Sequence, residues 1–134
     1  MTIKSEWIAE GINLIQKNPK ISAVVPAYVE QDHHPYRAKF IDNNGFLKPY
    51  FDFSDKFISS NRQDLLANYF LSHNFWILNI SMSIEANDGY KPWVFMGKNV
   101  QPIIVEDCFD VLSLNDIKRS TNWIKENIDA HEIY

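Results

Sequence analysis

The chain has 134 residues, is 46% apolar and 22% charged, and carries a net charge of −4. Those values describe a folded chain rather than a disordered or fibrous one, and the length suits a single α+β domain spanning 1–134. A bulk-basic nucleic-acid binder is excluded, since phosphate contacts need clustered Lys and Arg, and one Cys excludes a disulfide framework or a Cys-rich zinc site.

In chain order, Ser5 is placed to cap a helix running to Asn18. Ile8, Ile12 and Ile15 form its apolar stripe, widened by Trp7 and Leu14. Asn18-Pro19 ends it, because the residue before proline avoids the helical region. Ile21, Ala23, Val25, Ala27 and Val29 then alternate with Ser22, Val24, Pro26, Tyr28 and Glu30, which is strand period. Pro26 lacks an N–H, so this strand is expected at an edge or with a bulge. After a polar loop, Tyr36–Asp42 and Phe46–Phe53 flank Asn43-Asn44-Gly45, residues that tolerate positive φ and signal a hairpin.

Ser59 or Ser60 is expected to cap a second helix to Ser72, with Leu65, Leu66, Tyr69 and Phe70 inward. Phe75–Ala86 reads as a half-buried strand, since Trp76, Leu78, Ile80, Met82 and Ile84 alternate with polar residues. Asp88-Gly89 turns the chain, and Tyr90–Met96 and Pro102–Leu112 read as two more strands joined by Gly97-Lys98-Asn99. Ser113 and Asp116 resemble a capping box opening a last helix, with Leu114, Ile117, Thr121, Ile124 and Ile128 as its stripe and Trp123 beside it. The expected order is α-βββ-α-βββ-α, a mostly antiparallel sheet of about six strands covered on one face by three helices.

Several chemistries are missing from the sequence. The four glycines make no phosphate-cradling loop and no Gly-x-Ser-x-Gly elbow. Cys108 sits among Glu106, Asp107 and Asp110, which disfavour a thiolate, so it reads as structural. Asp52 and Asp55, three apart, would face opposite ways on a strand. The Asn79-Ile80-Ser81 triplet matches a glycosylation acceptor, a match expected by chance in a chain whose first residues, MTIKSEWIAEG, do not read as a secretion signal. No stretch approaches the roughly 20 apolar residues of a membrane helix, and a cytoplasmic protein without cofactor or bound metal is expected.

Two features carry a functional expectation. Residues 1–100 are electrically neutral, so the whole net charge lies in 101–134, on Glu106, Asp107, Asp110, Asp116, Glu126, Asp129 and Glu132. Such a one-signed region suits docking of a basic protein, for example a nuclease toxin neutralised by an immunity or inhibitor protein. The surplus of aromatics, 19 in all, suits interface anchors. The alternative is a small hydrolase using Asp32, His33 and His34, in which a His near neutral pKa acts as acid or base and Asp orients it. A third reading is a small-ligand or oligomer-forming module presenting Tyr50 and Trp93 on an open sheet face. The oligomeric state is not legible in the sequence.

Overall fold

The structure, a computed structural model, describes residues 3–30, 33–53, 57–106 and 111–126. It is an α+β chain whose residues group into two compact units, one drawn from Met1–Tyr28 and Leu71–Tyr134, the other Val29–Phe70.

In the first unit, helix α1 (Ser5–Lys17) forms as predicted, but Lys4 is its N-cap and no side chain closes the cap. Its buried face is also rotated from the expected isoleucine stripe. Gly11 is buried, and Trp7, Leu14 and Ile15 pack on Ile21, Val24, Ile103 and Val105, while Ile8 and Ile12 stay exposed. A Cβ on Gly11 would run into Ile77 Cδ1 and come within 3.3 Å of Val24 Cγ1. The bare glycine therefore marks the closest approach of helix to sheet, and that contact selects which face turns inward.

Strand β1 (Ala23–Glu30) is the centre of a four-stranded sheet. It pairs antiparallel with β5 (Ile77–Leu78), in parallel with β6 (Val100–Ile104), and also with β4 (Asn68–Leu71). The sheet is thus mixed: the β1–β5 pairing is antiparallel, as mostly expected, and β1–β6 is a parallel exception. Both faces of the first part of β1, Ala23 to Ala27, are covered, while Tyr28 and Val29 are exposed. Val24 packs under α1, while Ala23 and Val25 pack with Met96, Trp76, Trp93 and Phe95.

Pro26 is fully buried inside this central strand, paired with Ile103, rather than at an edge. The Pro26 carbonyl accepts the Ser72 N–H at 2.8 Å, and the Ala27 carbonyl accepts the Val105 N–H at 2.9 Å. In an extended strand a residue's N–H and C=O point to the same side, so the donor Pro26 lacks would face Ser72, just past the end of β4. The parallel ladder to β6 loses nothing.

The expected strand 75–86 is cut short. After β5 the chain turns into a π-helical turn, Ser81–Glu85, with Glu85 N–H donating to the Ile80 carbonyl at 3.0 Å. The Ser83 hydroxyl and N–H both return to the Asn79 carbonyl, at 2.6 and 2.9 Å, offering the backbone a helical alternative to a ladder. The Asn79 side chain is itself structural, donating to the carbonyls of Pro19 and Ile21. Tyr90–Met96 is not a strand either. A 3₁₀ turn at Val94–Met96 sets Phe95 and Met96 against β1.

Helix α2 (Leu114–Glu126) begins as predicted. Ser113 Oγ donates to Asp116 Oδ2 at 2.7 Å, and the same carboxylate accepts the Leu112 N–H at 3.3 Å. The buried residues are Ser120 and Trp123, so the helix docks on these and not on Leu114, Ile117 and Thr121. Ile128 lies outside the described residues.

The Asp116 carboxyl is held below its ordinary value of 3.8, mainly by the Ser113 hydroxyl, with help from the backbone N–H groups of Leu112 and Ser113 and from the Arg119 guanidinium. A depressed carboxyl stabilises the folded state above its unfolded pKa, and this contribution disappears as pH falls through the lowered folded value. Acid titration of α2, followed by NMR at Asp116, should therefore show the first turn loosening only below the usual carboxylate range, and Asp116→Asn should abolish that pH dependence. Ser113→Ala should cost about 1 kcal/mol at neutral pH, read from the denaturant midpoint.

In the second unit, β2 (Lys39–Ile41) and β3 (Leu47–Pro49) form the predicted hairpin in the register Lys39↔Pro49, Phe40↔Lys48, Ile41↔Leu47. Its turn is locked by Asp42 Oδ1, which accepts the N–H groups of Asn44 at 3.0 Å and Phe46 at 2.9 Å. The predicted helix 59–72 is absent. In its place stand a 3₁₀ turn, Arg62–Asp64, and strand β4. Ser59 Oγ donates to Asp64 Oδ2 at 2.5 Å and accepts the Asn61 N–H at 3.1 Å, a local pattern that competes with helix propagation. Leu66, expected inward, is 85% exposed.

Candidate functional site

Of the seven acids singled out above, three lie on described residues. Glu106 and Glu126 are exposed and make no ion pair among the described residues. The Asp116 carboxylate is occupied by the cap of α2. Asp107, Asp110, Asp129 and Glu132 lie outside the described residues, as do Cys108, Asp55 and Asp32.

The histidine loop is given a definite geometry by its neighbours. His34 Nδ1 lies 3.1 Å from the Tyr36 N–H, and His34 Nε2 lies 3.2 Å from the Leu66 carbonyl. A backbone N–H only donates and a carbonyl only accepts, so Nδ1 is the acceptor and Nε2 carries the proton. Both ring nitrogens are therefore engaged, and His34 caps the 3₁₀ turn Pro35–Arg37. His33 is exposed. Its Nδ1 stands 3.4 Å from Glu30 Oε1, which also accepts the His33 backbone N–H at 3.2 Å. The carboxylate beside this imidazole is Glu30, three residues back at the end of β1, a spacing the sequence displayed but whose meaning depends on how the strand ends. Asn68 Nδ2 donates to the His33 carbonyl at 3.2 Å and, with the Leu66 contact, ties this loop to the start of β4. Among the described residues no group of three His, Cys, Asp or Glu is placed to hold a metal ion. No helix among them is long and apolar enough to cross a membrane.

The aromatics separate by unit. Trp76, Trp93 and Phe95 pack around the buried cluster of the first unit, with His73 edge-on to both indoles. In the second unit the rings form a row of neighbouring contacts: His34–Tyr36 at 4.9 Å, Tyr36–Phe53 at 5.0 Å, Phe53–Phe51 at 6.1 Å, Phe51–Tyr50 at 5.4 Å and Tyr50–Phe40 at 6.4 Å. Among the described residues of 29–70 no side chain is buried. Ile41, Leu47 and Tyr50 are each more than 60% exposed, on and beside a hairpin that forms a two-stranded sheet of its own. An isolated two-stranded hairpin is marginal in water, so apolar side chains left exposed on one make this hairpin a candidate for cover by a partner. Sequence reading found the aromatic surplus and the hairpin strands that carry this row, but placed the end of the segment, from Ser59, in a helix with Leu65, Leu66, Tyr69 and Phe70 inward. Comparison with known protein families finds no match, and comparison with curated proteins finds none either.

Proposed function

We propose that the chain is a non-enzymatic protein-binding protein whose partner is basic, of the immunity or inhibitor kind that neutralises a nuclease toxin. The observation that carries this reading is the segment 29–70, rich in aromatic and aliphatic side chains of which none that is described is buried. Partner chemistry follows from charge. All of the net −4 lies in 101–134, and Glu106 and Glu126 stand exposed without an ion pair among the described residues. Acids of one sign steer a basic partner to the surface, and desolvated aromatic anchors then slow its release. The hydrolase alternative is weakened because His34 uses both ring nitrogens in the fold, leaving only His33 with Glu30 as a pair.

The test is capture from the native host at low salt, followed by kinetics with the purified partner. A basic protein is expected. Reversing Glu106 and Glu126 to Lys should slow association about tenfold and flatten its salt dependence, whereas Tyr50→Ala should act on dissociation. His33→Ala with His34→Ala should leave association unchanged. A non-basic partner, or kinetics indifferent to the acid reversals and to Tyr50→Ala, would overturn the reading.

A further inference from the structure

The hairpin unit contains a cleft of ≈ 490 Å³ lined by Tyr36, Arg37, Lys39, Pro49, Phe53 and the segment Ile58–Ser60. Its volume falls within the ~300–1,000 Å³ typical of small-molecule sites. Among the described residues the lining carries two positive charges and no negative one. Neither Arg37 nor Lys39 makes an ion pair among the described residues. Asp64, near in sequence, is engaged by the Ser59 hydroxyl and is not part of the lining. Arg37 Nη2 donates to the Ser60 carbonyl at 2.5 Å, which fixes the guanidinium at the wall, and among the described residues its other donors are left for a ligand. Beside these cations stand two rings, Tyr36 and Phe53, packed edge to face at 5.0 Å.

Each half of this arrangement asks for a different part of one molecule. A fixed guanidinium with an ammonium beside it matches a phosphate or carboxylate, which Arg binds through parallel N–H donors. Aromatic side chains offer a planar ring a stacking surface, a use that does not depend on the identity of a base. We propose that this cleft binds a small anion joined to a planar ring, for which a nucleoside monophosphate is the test ligand. The site needs no residue outside the second unit, and it stands or falls separately from the protein-binding reading.

The experiment is titration of the full chain with adenosine monophosphate, with adenosine and with inorganic phosphate, followed by NMR at the backbone amides of Arg37, Lys39, Ser59 and Ser60. The monophosphate should bind and move these amides, while adenosine and phosphate alone should each bind about tenfold more weakly or less. Lys39→Ala, which removes a charge that makes no ion pair among the described residues, should weaken the monophosphate about tenfold, and Phe53→Leu should do the same by removing the ring. Arg37→Ala also loses the Ser60 contact, so Lys39→Ala is the deciding variant. Equal binding of adenosine, no movement of these amides, or indifference to Lys39→Ala would overturn the proposal. So would an RNA oligonucleotide that binds where the monophosphate does not.

Discussion

Gly97→Ala should destabilise the protein by roughly 3–5 kcal/mol, enough to leave a marginal domain largely unfolded. Gly97 has φ 73° and ψ −178°, a backbone region essentially closed to residues with a Cβ. Space is lacking as well as conformation. A Cβ there would run into the Met82 carbonyl oxygen and come within 2.6 Å of Ser22 Cβ and 2.9 Å of Ser22 Oγ. Ser22 cannot move aside, because it is buried and bonded in both directions: its N–H donates to the Asn99 carbonyl at 3.0 Å, and its Oγ accepts the Asn99 N–H at 3.0 Å. The substitution therefore disturbs the π-helical turn, the entry to β1 and the entry to β6 together. Urea denaturation measures the effect. A loss below about 1 kcal/mol would mean that the 97–99 segment adjusts independently of Ser22.

Trp123→Ala should cost about 3–5 kcal/mol and detach the docked face of α2. Trp123 is 7% exposed and is, with Ser120, one of the two buried residues on that helix. Its ring lies 6.3 Å from that of Trp7 on α1, and Lys4 Nζ sits 5.4 Å from the Trp123 centroid and 5.7 Å from the Trp7 centroid. One ammonium shared by two indoles adds about 0.5–1 kcal/mol to the apolar contact. Trp123→Phe should keep part of the stability because a ring remains, and Lys4→Met should lose only the smaller cation–π share. Circular dichroism with thermal melting reads all three. Because Asp116 and Glu126 ride on this helix, Trp123→Ala should also weaken the proposed basic partner although every charge is intact. Unchanged partner affinity would separate the acids of α2 from the binding surface.

The parts of the fold that could be read in advance are those whose determinants lie within a few residues. The hairpin turn is written by Asp42 and Gly45, the side chain of one accepting two N–H groups and the other taking φ +83°. The start of α2 is written by Ser113 and Asp116, and α1 by its overall periodicity. Two expectations failed for a common reason. The alternation of 76–84 and the helical spacing of 65–70 are real patterns, but each is short enough for local side-chain bonds to redirect the backbone, through Ser83 in one case and Ser59 in the other. The inward face of α1 was misread because a glycine has no hydropathy to register, yet close packing onto Ile77 is possible only there.

The candidate sites divide in the same way. Residue types alone located the acidity of 101–134, the aromatic surplus and the histidine loop. The way β1 ends paired His33 with Glu30, and only tertiary structure tied His34 through Leu66 and set Arg37 and Lys39 beside two rings. The sequence by itself determined that this is an acidic, aromatic-rich α+β chain with a hairpin at Gly45 and a capped helix at Ser113. What the tertiary structure decided was the burial of Ala23 to Ala27 of β1 on both faces, the placement of Pro26 inside a sheet and the exposure of the 29–70 aromatics. The physical reason is reach. Asn79 bonds to Pro19 and Asn99 to Lys20 across 60 and 79 residues, and contacts that distant leave no periodic trace in the local sequence.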